Sequence, residues 1–559
     1  MIQPLTRLLT LLLVPALLAM PGVGQAVRDA VSEKGMVVSS SPHASDIGAA
    51  ILKDGGNAVD AAVAVAFAMA VTYPTAGNIG GGGFMVVHPA DGSPPVFVDY
   101  REKAPLASTL EMFKDGGSRA NHRYVGVPGT VRGLSLAHEL YGLLPWKDVV
   151  EPAVRLATDG FVMAAGLASS LNRVARRSRN AEFRRVYSKP GGGRWQGGDL
   201  IKMPDLGATL ARIRDHRNAG FYEGETARLL VEEMKKGGGY ITQADLSAYR
   251  ARIRNPIHFT YRGYEVFSSP PPSSGGITLA QQLQILENFD IRKMGRWSVS
   301  TMHLMIEAMR RAYANRAQHL GDADFVEIPP HLTDKEFAKK MARDINRKRA
   351  TRSDTVGPKI TEAQESKETT HFSVIDQRGM AVSNTYTLEA GYGSGVVVRG
   401  AGFLLNNEMG DFNPKPGTTN RRGTIGTKPN LIAPGKRMLS SMTPTIVTKD
   451  GKPYLITGSP GGRTIINTVF CVTVNVLDFG MGLRAAIDAP RTDHEWFPER
   501  VRFVGARDAE HRDMVEKLRK MGHDIQASRG QGDANSILVK GGKFYGAADS
   551  RSGSASGVK

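Results

Sequence analysis

The residues that raise a chemical question first are two threonines at the left edge of a strand. In KETTHFSVIDQRG (367–379), Thr369 and Thr370 lead into apolar Phe372, Val374 and Ile375, and the run ends on the turn Asp376-Gln377-Arg378-Gly379. Upstream, ATRSDTVGPKITEAQESKE from Ala350 has almost no large apolar side chains, so a loop-like segment stops abruptly on two hydroxyls. Cutting the bond between Glu368 and Thr369 would leave Thr369 with a free α-amine beside its own hydroxyl. An α-amine has a reference pKa of about 8, so as a neutral base at working pH it accepts the hydroxyl proton, and one residue is then both nucleophile and base. No histidine or carboxylate is needed. On this reading the polar segment is the new end of one polypeptide and the strand begins another.

Motifs for other common chemistries are missing: there is no HExxH, no GxxxxGK[ST] and no GxSxG, and the 13 histidines show no metal-ligand spacing. Neither a metal nor an organic cofactor is expected. Gly77-Asn-Ile-Gly80-Gly81-Gly82-Gly83 follows a helix rather than a strand, which argues against a dinucleotide loop and for a close backbone crossing. The single cysteine, Cys471, sits in apolar Val469-Phe470-Cys471-Val472 and reads as a buried helix residue, not a nucleophile.

The chain carries 72 Lys and Arg against 54 Asp and Glu, a formal charge of +18, concentrated in LNRVARRSRNAEFRR (171–185) and KKMARDINRKRATR (339–352). Without aromatic interleaving, zinc spacing or a helix-turn-helix pattern, these runs read as solvated faces and not as a nucleic-acid site.

The elements that must position Thr369 follow from patterning. At 559 residues and 41% hydrophobic, the chain can bury a large core. Residues 1–26 run from Arg7 through apolar Leu8–Met20 to Gly24-Gln25-Ala26, the order of a secretory signal, with an uncleaved membrane anchor as the other reading. No later stretch reaches eighteen apolar residues, so no membrane span is expected in the mature chain. Secretion without disulfides points to a bacterial periplasm.

Further on, two helices are expected across SPHASDIGAAILKDGGNAVDAAVAVAFAMAVTYP, the second capped by Asn57 and buried on most sides. Strands are expected at FMVVHP, PPVFVDYRE and YRGYEVFSS, and helices at 131–142, 146–158 and 205–213 and in TLAQQLQILENF. Ser298–Leu320 reads as a long amphipathic helix. Beyond Thr369, HFSVID and MAVSNTYTL alternate, and TPTIVTKDGKPYLITGS is a hairpin on Asp450-Gly451. A buried helix is expected near Thr464–Leu477 and another near 508–521, and NSILVK with KFYGAAD forms a closing hairpin. The first two thirds read as helix-rich and the last third as strand-rich.

TTHFSVID, NTYTL, LLNNEMGDF, RMLSSMTPT and TGSPGGRTI, in this order and spacing, resemble the small subunit of the γ-glutamyltransferases, which are N-terminal-nucleophile hydrolases. GGNAVDAAVA, GNIGGGGFMV, DYREKAP, VGVPGT, PPPSSGG and HLMIEAMRRAYANRAQHLGDADF resemble that family's large subunit. The resemblance implies an α+β fold, a four-layer αββα sandwich built from two subunits of one precursor. It divides the chain into a signal (1–26), a large subunit (27–368) and a small subunit (369–559), the two subunits pairing as a heterodimer.

Position by position, the resemblance implies Thr369 as nucleophile of both self-cleavage after Glu368 and turnover, with the Thr387 hydroxyl supporting it. Gly461 and Gly462 would turn backbone N–H groups on the oxyanion. Arg101, Ser440 and Ser441 would meet the donor's α-carboxylate, and Glu408 and Asp411 its α-ammonium. Glu389 stands where several members carry asparagine and adds an acid to that corner. The segment Asn413–Leu439 has the place of the family's lid, with Arg421 and Arg422 at its middle. The implied reaction moves the γ-glutamyl group of glutathione or a related amide to water, an amino acid or a peptide.

Three alternatives remain open at this stage. They are a same-family acylase for glutaryl or cephalosporin side-chain amides, a transferase for poly-γ-glutamate or envelope peptide, and a secreted binding protein on an inactive scaffold.

Overall fold

The computed structural model describes residues 29–113, 117–357, 362–363, 369–413, 424–425, 427–550 and 554–559. The expected signal (1–26), Glu368, Arg421 and Arg422 lie outside the described residues.

Alternation of apolar side chains along the strands decides the architecture. Met36 and Val38 point to one side of their strand and Val37 to the other; all three are buried, so both faces of the sheet are covered. One seven-stranded sheet has the order Ser554–Gly557, Gly35–Ser39, Thr370–Asp376, Ala381–Thr387, Gly82–His88, Val96–Asp99, Arg252–Arg254. The other runs Ala30–Ser32, Lys543–Ala548, Asn535–Lys540, Lys452–Thr457, Thr445–Lys449, Tyr264–Ser268, Ile257–Tyr261. Neighbours in both sheets are antiparallel.

The inner faces share one core, in which Met36, Val38, Phe84, Val86 and Phe97 of the first sheet meet Phe267, Ile446, Ile456, Ile537 and Phe544 of the second. Helices cover both outer faces. Val37, Met85, Val98 and Val374 pack under the helix Ala58–Thr72 and its neighbours, while Val447 and Leu455 pack under Gly275–Glu287, Val299–His319 and Thr464–Leu477. This is the expected helix–sheet–sheet–helix sandwich.

As expected, helices dominate the residues before Thr369 and strands those after it, but both regions supply the sheets. Seven of the fourteen sheet strands precede Thr369 and seven follow it, and strands from the two sides of Thr369 are interleaved in both sheets. Strands that precede Thr369 are short and separated by long helical stretches, so local periodicity under-reports them.

The helix Ala58–Thr72 is capped by Asn57 in a reciprocal capping box with Asp60, and every residue in it is buried. Its Ala58 N–H donates to Asp376 Oδ2 at 3.1 Å, tying it to the turn that ends the Thr370–Asp376 strand. The helix Val299–His319, expected to be amphipathic, is buried on nearly all sides. Its charged residues are paired inside the protein: Glu307 with Arg310 and Arg311, and Arg310 with Glu499. The two basic runs present exposed arginines, among them Arg176, Arg177 and Arg184 in one and Arg347 and Arg349 in the other, as expected of solvated faces. No helix among the described residues is long and apolar enough to cross a membrane.

Candidate active site

Register builds the first part of the site. The Thr370–Asp376 strand pairs with Ala381–Thr387 so that Thr370 faces Tyr386, and one step further along the same ladder Thr369 faces Thr387. Thr369 Oγ1 donates to Thr387 Oγ1 at 3.5 Å, and the same Thr387 oxygen accepts the Glu389 N–H at 2.8 Å. Thr369 is 6% exposed.

The glycine run supports this pair from below. A β-carbon on Gly81 would collide with the Thr387 carbonyl, which also accepts from Asn78 Nδ2 at 2.9 Å. Glycine is needed here for close approach, as the reading of GNIGGGG anticipates. His371, two positions from Thr369, is wholly buried between the Thr385 and Ser373 hydroxyls, at 2.8 and 3.0 Å. Burial pushes its pKa down to about 3, so it stays neutral and offers no acid–base group at physiological pH.

The second part is the loop between strand Lys452–Thr457 and helix Thr464–Leu477. Gly461 has φ +133° and Gly462 φ +56°, backbone that side-chain-bearing residues rarely adopt. The helix that follows has no side-chain cap at its N-terminus, so its positive end backs the loop. Gly462 lines the pocket that holds Thr369; Gly461 is one residue back, its carbonyl accepting from the Thr464 hydroxyl at 2.9 Å.

Arg101 is the centre of the third part. It follows strand Val96–Asp99, and Asp99 Oδ1 accepts its backbone N–H at 3.0 Å. Its Nη1 lies 2.6 Å from Glu408 Oε2 and its Nη2 2.7 Å from Asp411 Oδ2, with the Arg101 and Glu408 side chains 1% and 0% exposed. Thus the two acids that sequence reading gives to a ligand's ammonium, and the arginine it gives to a ligand's carboxylate, hold one another. Glu102 Oε2 approaches the same guanidinium at 3.5 Å.

Burial raises Glu408 well above the usual carboxylate range, further helped by Glu102, Asp411 and Glu389, and Arg101 only partly opposes this. Burial likewise pushes Glu102 up to about 7 against the pull of Arg101. Arg101 itself is held charged: burial disfavours the cation, but Glu408, Glu102 and Asp411 outweigh it. The corner is a surplus of carboxylates in a poorly hydrated place.

Ser440 and Ser441 line the same pocket. The PPPSSGG loop holds them: Ser440 N–H donates to the Pro272 carbonyl at 3.0 Å and Ser274 N–H to the Ser440 carbonyl at 2.8 Å. Arg316, from the long helix, donates to Ser274 Oγ and Ser441 Oγ, both at 2.8 Å.

Thr369, Thr387, Gly462, Arg101, Glu389, Glu408, Asp411, Ser440 and Ser441 therefore line one cleft with Met442 and Ile465, enclosing about 290 Å³ that is partly open to solvent. Of the sequence-named residues that are described, Gly461 alone is not on its wall. Of the lid segment, Asn430 connects its described part to the site, donating to the Asp411 carbonyl at 2.7 Å and accepting from Leu439 N–H at 2.9 Å.

Sequence reading missed Arg119, Glu102 and Arg316. Arg119 pairs with Glu389 at 2.8 Å. Two of them, Glu102 and Arg316, stand inside motifs already singled out, DYREKAP and HLMIEAMRRAYANRAQHL, but an arginine on a helix pattern reads as surface charge.

Elsewhere, His303, Glu307 and His523 come together, yet His303 Nδ1 and His523 Nε2 share a 2.8 Å hydrogen bond and Glu307 is engaged by Arg310 and Arg311. This is a hydrogen-bonded chain in which both His303 nitrogens are committed, the second to the Asn346 carbonyl at 2.9 Å, and the Glu307 carboxylate is held by arginines. The combination in the cleft, a buried hydroxyl at a strand end, a paired second hydroxyl, left-handed glycines at a helix N-terminus and a zwitterionic wall, suits acyl transfer from a small charged amide.

Comparisons with known proteins bear on this cleft. A family model described as gamma-glutamyltranspeptidase matches residues 44–558. The chain is 44% identical over 531 residues to a glutathione hydrolase proenzyme of Escherichia coli (strain K12), covering 93% of this chain and 91% of that protein. Among solved structures, it resembles a cephalosporin acylase from Bacillus halodurans (TM-score 0.83, 27% identity, 98% and 100% of the two chains). It also resembles a gamma-glutamyltranspeptidase of Helicobacter pylori (TM-score 0.56, 41% identity, 57% of this chain and 94% of that one).

Proposed function

The chain belongs to the gamma-glutamyltranspeptidase family, and from that premise we propose a self-processing glutathione hydrolase and γ-glutamyltransferase in which Thr369 is the nucleophile. In processing, the Thr369 hydroxyl attacks the Glu368 carbonyl, the peptide nitrogen leaves as the Thr369 α-amine, and water hydrolyses the resulting ester. The large and small chains, 27–368 and 369–559, stay together because their strands interleave in both sheets.

In turnover, the α-amine takes the hydroxyl proton as the oxygen attacks the γ-carbonyl, and Gly461 and Gly462 N–H groups stabilise the oxyanion. Removing one donor of this kind typically costs about 10²–10³ in rate. The proton passes to the leaving nitrogen, and water or an amine acceptor then releases the γ-glutamyl group. Thr387 keeps the nucleophile oriented by sharing its hydroxyl.

One observation carries the donor class: four buried or nearly buried carboxylates, Glu102, Glu389, Glu408 and Asp411, face two guanidiniums, Arg101 and Arg119. A γ-glutamyl group brings an α-ammonium to that surplus and an α-carboxylate to the Arg101 fork, and the Ser440 and Ser441 hydroxyls hold the same carboxylate. A glutaryl group brings only another negative charge.

The second reading, a side-chain acylase, is favoured by the full-length likeness to the cephalosporin acylase structure. Amino-terminal sequencing of the purified protein, with parallel γ-glutamyl and glutaryl anilide assays, separates the two. The proposal requires a chain beginning Thr369-Thr370-His371 and a preference for the γ-glutamyl anilide; an intact chain, or a preference for glutaryl, overturns it. The same sequencing tests removal of residues 1–26 and thus an extracytoplasmic, periplasmic enzyme.

A further inference from the structure

Glu389 has an unusual setting. Its backbone is left-handed at φ +75°, its N–H holds the Thr387 hydroxyl at 2.8 Å, and its side chain, 4% exposed, meets Arg119 Nη1 at 2.8 Å. Arg119 reaches it by crossing the short turn Glu408–Asp411 directly over Gly410. A β-carbon on Gly410 would stand 2.8 Å from Arg119 Cδ and 2.9 Å from Nη1. Gly410 is not among the positive-φ glycines, so its backbone does not call for glycine; the passage of Arg119 does.

The arginine therefore lies across the turn that carries Glu408 and Asp411 and ends on the remaining carboxylate of the same wall. Arg101 spends both its Nη groups on Glu408 and Asp411, and Arg119 supplies the counter-charge at Glu389. Three carboxylates so close would otherwise repel one another and turn apart.

We propose that Arg119 is a positioning residue for donor specificity: by clamping Glu389 it holds that carboxylate toward the donor's α-ammonium, and so sets the preference for amides that carry this ammonium over the same amides without it. The inference rests on the γ-glutamyl reading of the cleft. Arg119 acts through Glu389 and not on the scissile bond, so its removal weakens donor binding and leaves the chemical step alone.

The test compares the processed enzyme with Arg119→Leu, Arg119→Lys, Glu389→Gln, Gly410→Ala and the Arg119→Leu/Glu389→Gln double variant, on γ-glutamyl and glutaryl p-nitroanilide. Arg119→Leu is expected to raise KM for the γ-glutamyl anilide roughly tenfold with kcat within about twofold, and to raise the glutaryl-to-γ-glutamyl ratio of kcat/KM. Arg119→Lys recovers most of the KM, and Gly410→Ala, which crowds the arginine without removing it, moves KM the same way. In the Glu389→Gln background, Arg119→Leu changes KM less than about twofold. An unchanged KM in Arg119→Leu, a loss in kcat alone, or an equal KM effect with and without Glu389 overturns the proposal while leaving the parent reading in place. A native enzyme that releases nitroaniline only from the glutaryl substrate overturns both.

Discussion

Replacing Arg101 by lysine separates the two things this buried cation does. In the native cleft its Nη1 and Nη2 contact different carboxylates, Glu408 at 2.6 Å and Asp411 at 2.7 Å, with Nε donating to the Met438 carbonyl at 3.4 Å. A lysine keeps the positive charge but concentrates its donors on one nitrogen, so it satisfies one carboxylate well and releases the other. The charge that balances Glu408, Asp411 and Glu102 remains, so the penalty of about 3–5 kcal/mol for removing the only counter-charge of a buried acid is largely avoided. What is lost is about one charge-assisted hydrogen bond in the empty site and one arm of the fork offered to the donor's carboxylate, each worth about 1.5–3 kcal/mol. At about 1.4 kcal/mol per tenfold, donor KM should rise by roughly 10- to 150-fold. Thr369, Thr387 and Gly462 are untouched, so kcat should change less than about threefold. The assay is steady-state hydrolysis of a γ-glutamyl anilide, after a denaturing gel has confirmed two chains. A KM equal to the native value would remove Arg101 from the donor site, and a fall in kcat at constant KM would move its role to the chemical step.

Thr369→Ala should run as a single full-length chain with no turnover, because the proposed mechanism uses the same oxygen in both steps; normal processing would refute the assignment. Gly458→Ala should lower the thermal midpoint by several degrees, since the new β-carbon would enter the buried His371 ring and overpacking of this kind costs about 1–3 kcal/mol; an unchanged midpoint would mean the strand shifts freely. Glu102 gives a pH signature. Its folded pKa of about 7 lies above the ordinary 4.5, so the stability it allows is complete below about 4.5 and is lost as pH rises through about 7, on the order of 3 kcal/mol at most. Glu102→Gln should flatten the fall in thermal midpoint between pH 5 and 8, and an unaltered slope would count against the buried carboxyl as its source.

Much of the site was legible because its signals are local. Asn57 before an Ala/Val run, Asp450-Gly451 between alternating strands and the Thr464–Leu477 helix all appear where pattern placed them, since capping and turn chemistry act over three or four residues. The burial of Val299–His319 was not legible, because its arginines look solvent-facing until partners from residues far along the chain are known. Arg119 was invisible for the same reason: Glu389 is 270 residues away, and only Gly410 hints at the crossing. Strands Ala30–Ser32, Gly35–Ser39, Arg252–Arg254 and Ile257–Tyr261 were not expected, because three to five residues carry little periodicity of their own.

The order of residues alone determined that Thr369 begins a strand after a polar segment, that a glycine pair stands before a helix, and which motifs recur together, since these depend on each residue's own chemistry and its near neighbours. Only the tertiary structure decided that Arg101, Glu408 and Asp411 neutralise one another inside the protein, that Thr369 stands across from Thr387, and that the wall holds more carboxylates than cations. Charge interactions fall off over a few ångströms and strengthen as water is excluded, so their sign and size are properties of distance and burial, which emerge only when segments hundreds of residues apart are packed together.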